Sequence, residues 1–262
     1  MTETTNQSYA CKLKVWGDFA CFTRPELKVE RMSYLVPTPS SVRGIYEAIL
    51  RKPQFRWYPR RITVLKPIQF IALRRNEVQG KISARNVQAA MSGSKPLEPL
   101  YADAMDEAGS GRTQRQTMAL RDVAYLLEAE IRLTPAADTT QDSVAKYRDM
   151  FLRRVEKGQC FHQPAFGCRE FIAHFAPPAG DESPLDDSRD LGLMLYDIFD
   201  YDGPVTRVET DEALVASRRL SLFKARLDKG FVEIPAWNSD AVLKAPRATP
   251  APSHRAGRRR SS

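Results

Sequence analysis

The sequence predicts an α+β chain, with a ferredoxin-like N-terminal domain followed by a small antiparallel β-sheet domain. Three observations carry that expectation. Apolar residues recur at every second position in several short runs, as in half-buried strands. Two intervening stretches change to a 3.6-residue repeat framed by helix start and stop signals. The runs follow the order strand, helix, strand, long excursion, strand, helix, strand, which is the βαβ-βαβ order of a ferredoxin-like sheet.

Cys11, Leu13 and Val15 alternate with Lys12 and Lys14, giving a first strand that reaches toward Phe22 across Gly17. In Val36-Pro37-Thr38-Pro39-Ser40, Thr38 suits an N-cap and Pro39 the first helical position. Val42, Ile45, Tyr46, Ile49 and Leu50 follow at helical spacing, so the first helix spans about Pro39 to Arg51 before Pro53. Ile62 to Leu73 is rich in strand formers, and Pro67 within it implies a bulge or an edge position. Val87 to Arg115 holds Gly93, Pro96, Pro99, Gly109 and Gly111 and reads as a long excursion.

Val123 to Leu133 alternates again and predicts another strand. Thr139 with Asp142 marks a helix start, Val144, Tyr147, Phe151 and Val155 share one face, and Gly158 suits a C-terminal stop. Phe171 to Phe175 is a short strand. Pro177-Pro178-Ala179-Gly180 then marks a boundary, so residues 1–178 form the first domain. Residues 179–243 form a small β domain, with strands expected at Leu193 to Ile198, Thr206 to Val208, Arg219 to Phe223 and Gly230 to Ile234. Residues 244–262 are Pro, Ala, Ser and Arg without periodicity, a disordered basic tail.

With 262 residues and 42% apolar composition, the chain buries a sizeable core without disulfides. No apolar run approaches the ~18 residues of a membrane span, and Met1 to Ser8 lacks the order of a signal peptide. Four cysteines imply a reducing cytoplasm. The net charge of +8 is mostly local, because Lys244 to Ser262 carries six basic residues and no acid. Arg51 to Asn86 holds ten basic residues against Glu77, whereas Asp181 to Asp202 holds eight acids against Arg189. One face thus suits a polyanion and another repels it.

Several segments together resemble one family. They are Trp16-Gly17-Asp18-Phe19 with Phe22-Thr23, Ser33-Tyr34-Leu35-Val36-Pro37-Thr38, Lys66-Pro67-Ile68-Gln69, Leu120-Arg121-Asp122-Val123-Ala124-Tyr125, Gly167-Cys168-Arg169-Glu170-Phe171 and Gly192-Leu193-Met194-Leu195-Tyr196-Asp197. Their order and spacing resemble the CRISPR RAMP family of type I-C systems, the fifth Cas family in its subtype d. The resemblance covers roughly Lys12 to Pro235. It implies a ferredoxin-like domain with a small β-sheet domain. The activity it implies is metal-independent cleavage of precursor CRISPR RNA within the repeat, with no cofactor. The protein would then stay on the 5′ handle of the CRISPR RNA. The implied partners are the guide RNA, the backbone RAMP subunit, the large subunit and, through the complex, target DNA.

Cleavage of this kind uses the substrate's own 2′-OH as nucleophile. It leaves a 2′,3′-cyclic phosphate and a 5′-hydroxyl, and it needs a proton carrier and stabilisation of phosphoryl charge. Family members carry a tyrosine late in the first helix and a Lys-His pair early in the second. The pair falls on Lys146-Tyr147, so tyrosine replaces histidine; the helix tyrosine falls on Leu50, one turn from Tyr46. The expected catalytic set is therefore Lys146 for phosphate charge, with Tyr147 or Tyr46 as proton carrier. Both tyrosines also lie on apolar stripes and suit a core. Arg60, Arg61, Arg74, Arg75, Arg112, Arg115, Arg153 and Arg154 suit phosphates, Trp57 and Tyr58 suit stacking, and His162 suits the cleft. Cys160, His162, Cys168 and His174 lack the spacing of a zinc site, and no metal is expected. The alternative function is a non-catalytic assembly subunit that binds the 5′ handle.

Overall fold

A computed structural model describes residues 10–27, 29–78, 83–94, 96, 112–138, 140–203 and 218–246. In chain order the first elements are β1 (Cys11–Ala20), β2 (Arg31–Met32), α1 (Pro39–Ile49), β3 (Phe55–Val64), β4 (Phe70–Val78) and α2 (Ala84–Met91). There follow β5 (Arg112–Leu133), α3 (Val144–Glu156), β6 (His174–Ala176), β7 (Arg189–Phe199), β8 (Arg218–Leu227), β9 (Phe231–Glu233) and β10 (Val242–Lys244). The chain is α+β, with mostly antiparallel sheets and few helices.

The larger sheet runs β6-β1-β5-β3-β9, with β2 and β4 also on β5. Its pairings are antiparallel except β2 with β5. Strand β5 is 22 residues long and serves two neighbourhoods. Its C-terminal half lies between β1 and β3; its N-terminal half makes a hairpin with β4. Asp122, at φ 49°, stands where the two halves meet, and the inside–outside alternation resets there. This is why the sequence pattern shows a strand only from Val123. The Ile62–Leu73 run is not one strand. Pro67 lies between β3 and β4, and the expected bulge falls at Pro59/Arg61, where proline supplies no N–H to the ladder.

Helices α1 and α3 cover one face of this sheet. Thr38 caps α1 by accepting from Ser41 N at 3.1 Å, with Pro39 in the first turn as the sequence predicts. Ser143 caps α3 by accepting from Lys146 N at 3.1 Å; Thr139 lies outside the described residues. Gly158 follows α3 at φ 62°, a left-handed stop. Between helices and sheet sits an aromatic nest of Tyr46, Phe55, Trp57, Tyr147 and Phe151, with Tyr46 and Phe151 stacked at 5.1 Å.

The smaller sheet runs β10-β8-β7. Arg43 on α1 forks onto Asp197 of β7 at 2.7 and 3.1 Å, and Tyr201 donates to the same carboxylate at 3.0 Å. Strand β9, from the 179–243 segment, pairs with β3 of the larger sheet. The expected strand at Thr206 to Val208 and the basic tail from residue 247 lie outside the described residues.

Candidate functional site

The N-terminus of α3 gathers the strongest chemical group. The turn before it is locked by Asp138, which accepts from Thr140 N at 2.9 Å and Thr140 Oγ1 at 2.7 Å. Asp142 N donates to Asp138 O at 2.7 Å, and Asp138 N donates to Asp142 Oδ2 at 3.0 Å. The other carboxylate oxygen of Asp142 takes two side-chain donors. Lys146 Nζ reaches it at 3.1 Å, and the Tyr147 hydroxyl donates to it. Lys146 Nζ also donates to Gln141 O at 3.0 Å, yet its side chain is 45% exposed.

The electrostatics follow from this geometry. Bonding to Tyr147 first, and then to the Asp138 backbone and Lys146, holds the Asp142 carboxyl below its ordinary range. Burial and the Asp142 carboxylate push the Tyr147 phenol up to about 12. Tyr147 therefore keeps its proton near neutrality and is a donor rather than a base. Asp142 stands at Tyr147 Oη and takes the lysine for itself.

Tyr46 is not part of this group. It is buried, its hydroxyl donates to Cys11 O at 2.7 Å and Leu127 O at 2.9 Å, and burial drives its pKa well up. With no solvent path to a phosphodiester, it is a core residue. Leu50 is buried beside it as the C-cap of α1. Trp57 is likewise corrected from stacking surface to core, with Nε1 donating to Leu50 O at 2.8 Å. Tyr58 points to the other side of β3. It is half-buried, 4.9 Å from the Tyr201 ring, with Arg132 over it at 4.4 Å.

The basic candidates divide by what they already hold. Arg60 pairs with Glu130 at 3.1 Å, and Arg61 pairs with Glu233 and, at 3.7 Å, with Glu128. Arg75 pairs with Glu77 at 2.6 Å and with Glu170, while Arg115 lies opposite it across the hairpin. Arg74 and Arg112 sit on the other, exposed face of that hairpin. Arg154 donates to Ile49 O at 2.7 Å and completes the end of α1; Arg153 is exposed. His162 is exposed, held by its backbone N–H to Ala48 O at 3.3 Å. Arg154 and Lys146 are eight residues apart on α3, about 12 Å along the axis. The structure thus joins Lys146 with Tyr147 and leaves His162 and Arg154 at the far end of the helix. A cleft of about 430 Å³ lined by Arg61, Lys224, Arg226, Asp228, Phe231 and Glu233 adds a second basic surface. Among the described residues no three metal-ligating side chains cluster.

The family model for Cas5d, described as CRISPR-associated protein (Cas_Cas5), matches residues 11–235. The chain belongs to the Cas5d family of CRISPR-associated proteins. A curated relative from Mannheimia succiniciproducens, named CRISPR pre-crRNA endoribonuclease Cas5d, is 42% identical over 89% of this chain and 98% of its own. A Cas5d of the same description from Thermus thermophilus is 42% identical over 86% of this chain and 91% of its own. A solved structure described as a CRISPR-associated protein aligns over 90% of this chain and 97% of its own, at a TM-score of 0.58 and 20% identity, a likeness of fold.

Sequence reasoning missed the central role of Asp142 in this Cas5d member. It marked Asp142 only as a helix-start signal. An acid four residues before Lys146 and five before Tyr147 is a spacing that puts all three on one side of a helix start, and that signal was available. The Arg43–Asp197 pair had no such signal, because 154 residues separate the partners.

Proposed function

We propose that this chain cleaves precursor CRISPR RNA within the repeat, without a metal ion, and stays on the 5′ handle in a type I-C effector complex. The observation that carries this reading is the meeting of the Lys146 ammonium and the Tyr147 hydroxyl at one carboxylate oxygen of Asp142. It offers a partly exposed cation and a held proton at the first turn of a helix, where backbone N–H groups and the dipole favour a phosphate. The names of the two curated relatives support the substrate.

In this mechanism the substrate 2′-OH attacks the adjacent phosphorus and gives its proton to solvent, while the P–O5′ bond breaks and the 5′-oxygen leaves with the Tyr147 proton, which solvent restores. The products are a 2′,3′-cyclic phosphate and a 5′-hydroxyl. Lys146 stabilises phosphoryl charge, and Tyr147 is the proton carrier on the leaving-group side, held by Asp142. Arg74, Arg115 and Arg153 supply phosphate contacts, joined by Arg60, Arg61, Arg75 and Arg112 as these exchange their present partners for the RNA on binding. Tyr58 and His162 flank the RNA path.

The strand order β6-β1-β5-β3, with α1 between β1 and β3 and α3 between β5 and β6, supports a ferredoxin-like arrangement for residues 1–178. Residues 179–243 form the small β domain and 244–262 the basic tail. The partners are the backbone RAMP subunit, the large subunit and target DNA through the complex, in the cytoplasm. No helix among the described residues is long and apolar enough to cross a membrane.

The test is purified chain with its cognate repeat RNA in EDTA. Cleavage proceeds, and RNA with a single 2′-deoxy before the cut binds but survives. Lys146→Ala lowers the rate on the order of 10²-fold with little loss of affinity. Normal cutting by Lys146→Ala refutes the site. Absence of cutting by the parent chain, with tight repeat binding, supports instead a non-catalytic handle-binding subunit. The two positions that depart from the family pattern, Leu50 in place of the tyrosine and Tyr147 in place of the histidine, favour that second reading.

A further inference from the structure

Cys21 and Cys168 come from opposite ends of the larger sheet's sequence and meet just past the end of β1. Cys21 N donates to Phe166 O at 2.9 Å, and a Cβ on Gly167 would stand 1.9 Å from Cys21 O, so the two backbones are in contact. Cys21 Sγ lies 3.5 Å from Thr23 Oγ1. Arg31 Nη1 donates to Cys168 Sγ at 3.0 Å. Around them, Arg31 faces Glu77 at 3.7 Å, Arg75 holds Glu77, and Arg75 also contacts Glu170. The Arg31 side chain is 31% exposed, so the sulfur pair lies one side chain beneath solvent.

We propose that Cys168 and Cys21 are an oxidation site, with Cys168 the sulfur that reacts with a hydroperoxide and Cys21 the cysteine that closes the disulfide. The Arg31 guanidinium donates to the Cys168 sulfur and favours its thiolate, and the contact of the Cys21 backbone with Phe166 and Gly167 sets the second cysteine beside it. The neighbouring Cys21 thiol and Arg31 lower the Cys168 pKa against the opposing effect of burial, while Cys21 is driven the other way and keeps its proton. In the first step the Cys168 thiolate attacks one peroxide oxygen. The O–O bond breaks, giving a sulfenic acid and hydroxide. In the second step the Cys21 sulfur attacks the sulfenic sulfur. Its proton and the departing hydroxyl leave as water, and the S–S bond forms. The two cysteines lose two electrons in total and the peroxide gains them. The product ties β1 to the Phe166–Cys168 turn and removes the anion that faces Arg31.

Cys160 is an internal control, since it is more exposed than Cys168 and has neither a facing thiol nor an arginine described at its sulfur. The full chain at pH 7 is exposed to hydrogen peroxide for timed intervals, quenched with catalase and denatured. The remaining thiols are then alkylated, and each cysteine is quantified by peptide mass spectrometry. Cys168 is consumed roughly tenfold or more faster than Cys160 and appears linked to Cys21. Cys21→Ser stops at a dimedone-reactive sulfenic acid on Cys168, and Arg31→Met slows its formation on the order of tenfold. Loss of Cys160 first, or at the same rate, overturns the proposal, as does consumption of Cys168 without a link to Cys21. The parent-chain measurement decides even where a variant fails to fold.

Discussion

Tyr46→Phe separates the two roles a helix tyrosine can have in this fold. The substitution keeps the ring in its nest, 4.8 Å from Trp57 and 5.1 Å from Phe151, and deletes one oxygen. That oxygen's single proton serves two buried carbonyls, Cys11 O and Leu127 O, on the adjacent strands β1 and β5. Removing it withdraws a donor from acceptors that no water replaces, at a cost of about 1–2 kcal/mol. For a chain of this size that is a fall in Tm of about 2–8 °C. Urea denaturation followed by circular dichroism shows a lower midpoint with an unchanged slope, as expected for a cavity without loss of compactness. Single-turnover cleavage of repeat RNA by the folded variant proceeds at the parent rate. A folded variant that cuts on the order of 10²-fold slower, or one as stable as the parent, refutes the core assignment.

Asp197→Ala leaves the buried Arg43 guanidinium with Glu47 alone and also strips the acceptor of Tyr201, so stability falls by about 3–5 kcal/mol in a denaturant titration. Glu182 is held at about 2, first by the Ala179 and Gly180 backbone N–H groups and then by Lys14. Its folded pKa lies below the unfolded value of 4.5, so its contribution is present above pH 4.5 and disappears as pH falls toward 2; Glu182→Gln flattens that acid limb in thermal melts. Gly167 has φ +83° and stands where a Cβ would collide with Cys21 O, so Gly167→Ala gives little soluble, folded protein on expression, whereas Gly44→Ala, with open space around it, is tolerated.

The local elements were legible because they depend on near neighbours. Thr38-Pro39 starts α1, the Val144–Tyr147–Phe151–Val155 stripe builds α3, and Gly158 ends it, each through contacts within one or two turns. Period-two alternation likewise sets Trp57 and Tyr58 on opposite faces of β3, but it cannot say which face the helices cover. That was decided by α1 and α3 packing on the Trp57 side, and so the stacking candidate Trp57 became core. The bulge at Pro59/Arg61, the reset at Asp122 and the joining of β9 to β3 arise from pairing between distant strands, which leaves no mark within either strand's own pattern. The site divides the same way. Lys146, Tyr147 and Asp142 lie within six residues, so their meeting was available to local reasoning. The Cys21–Cys168–Arg31 cluster and the Arg43–Asp197 fork join residues more than 130 positions apart. The sequence alone determined α1, α3 and the strands that begin at Cys11 and Val123, whereas α2 and the N-terminal half of β5 fall in or beside the stretch that reads as a long excursion. Only the tertiary structure decided which side chains share a charge or a proton, because those interactions fall off within a few ångströms and the chain's path sets the distances.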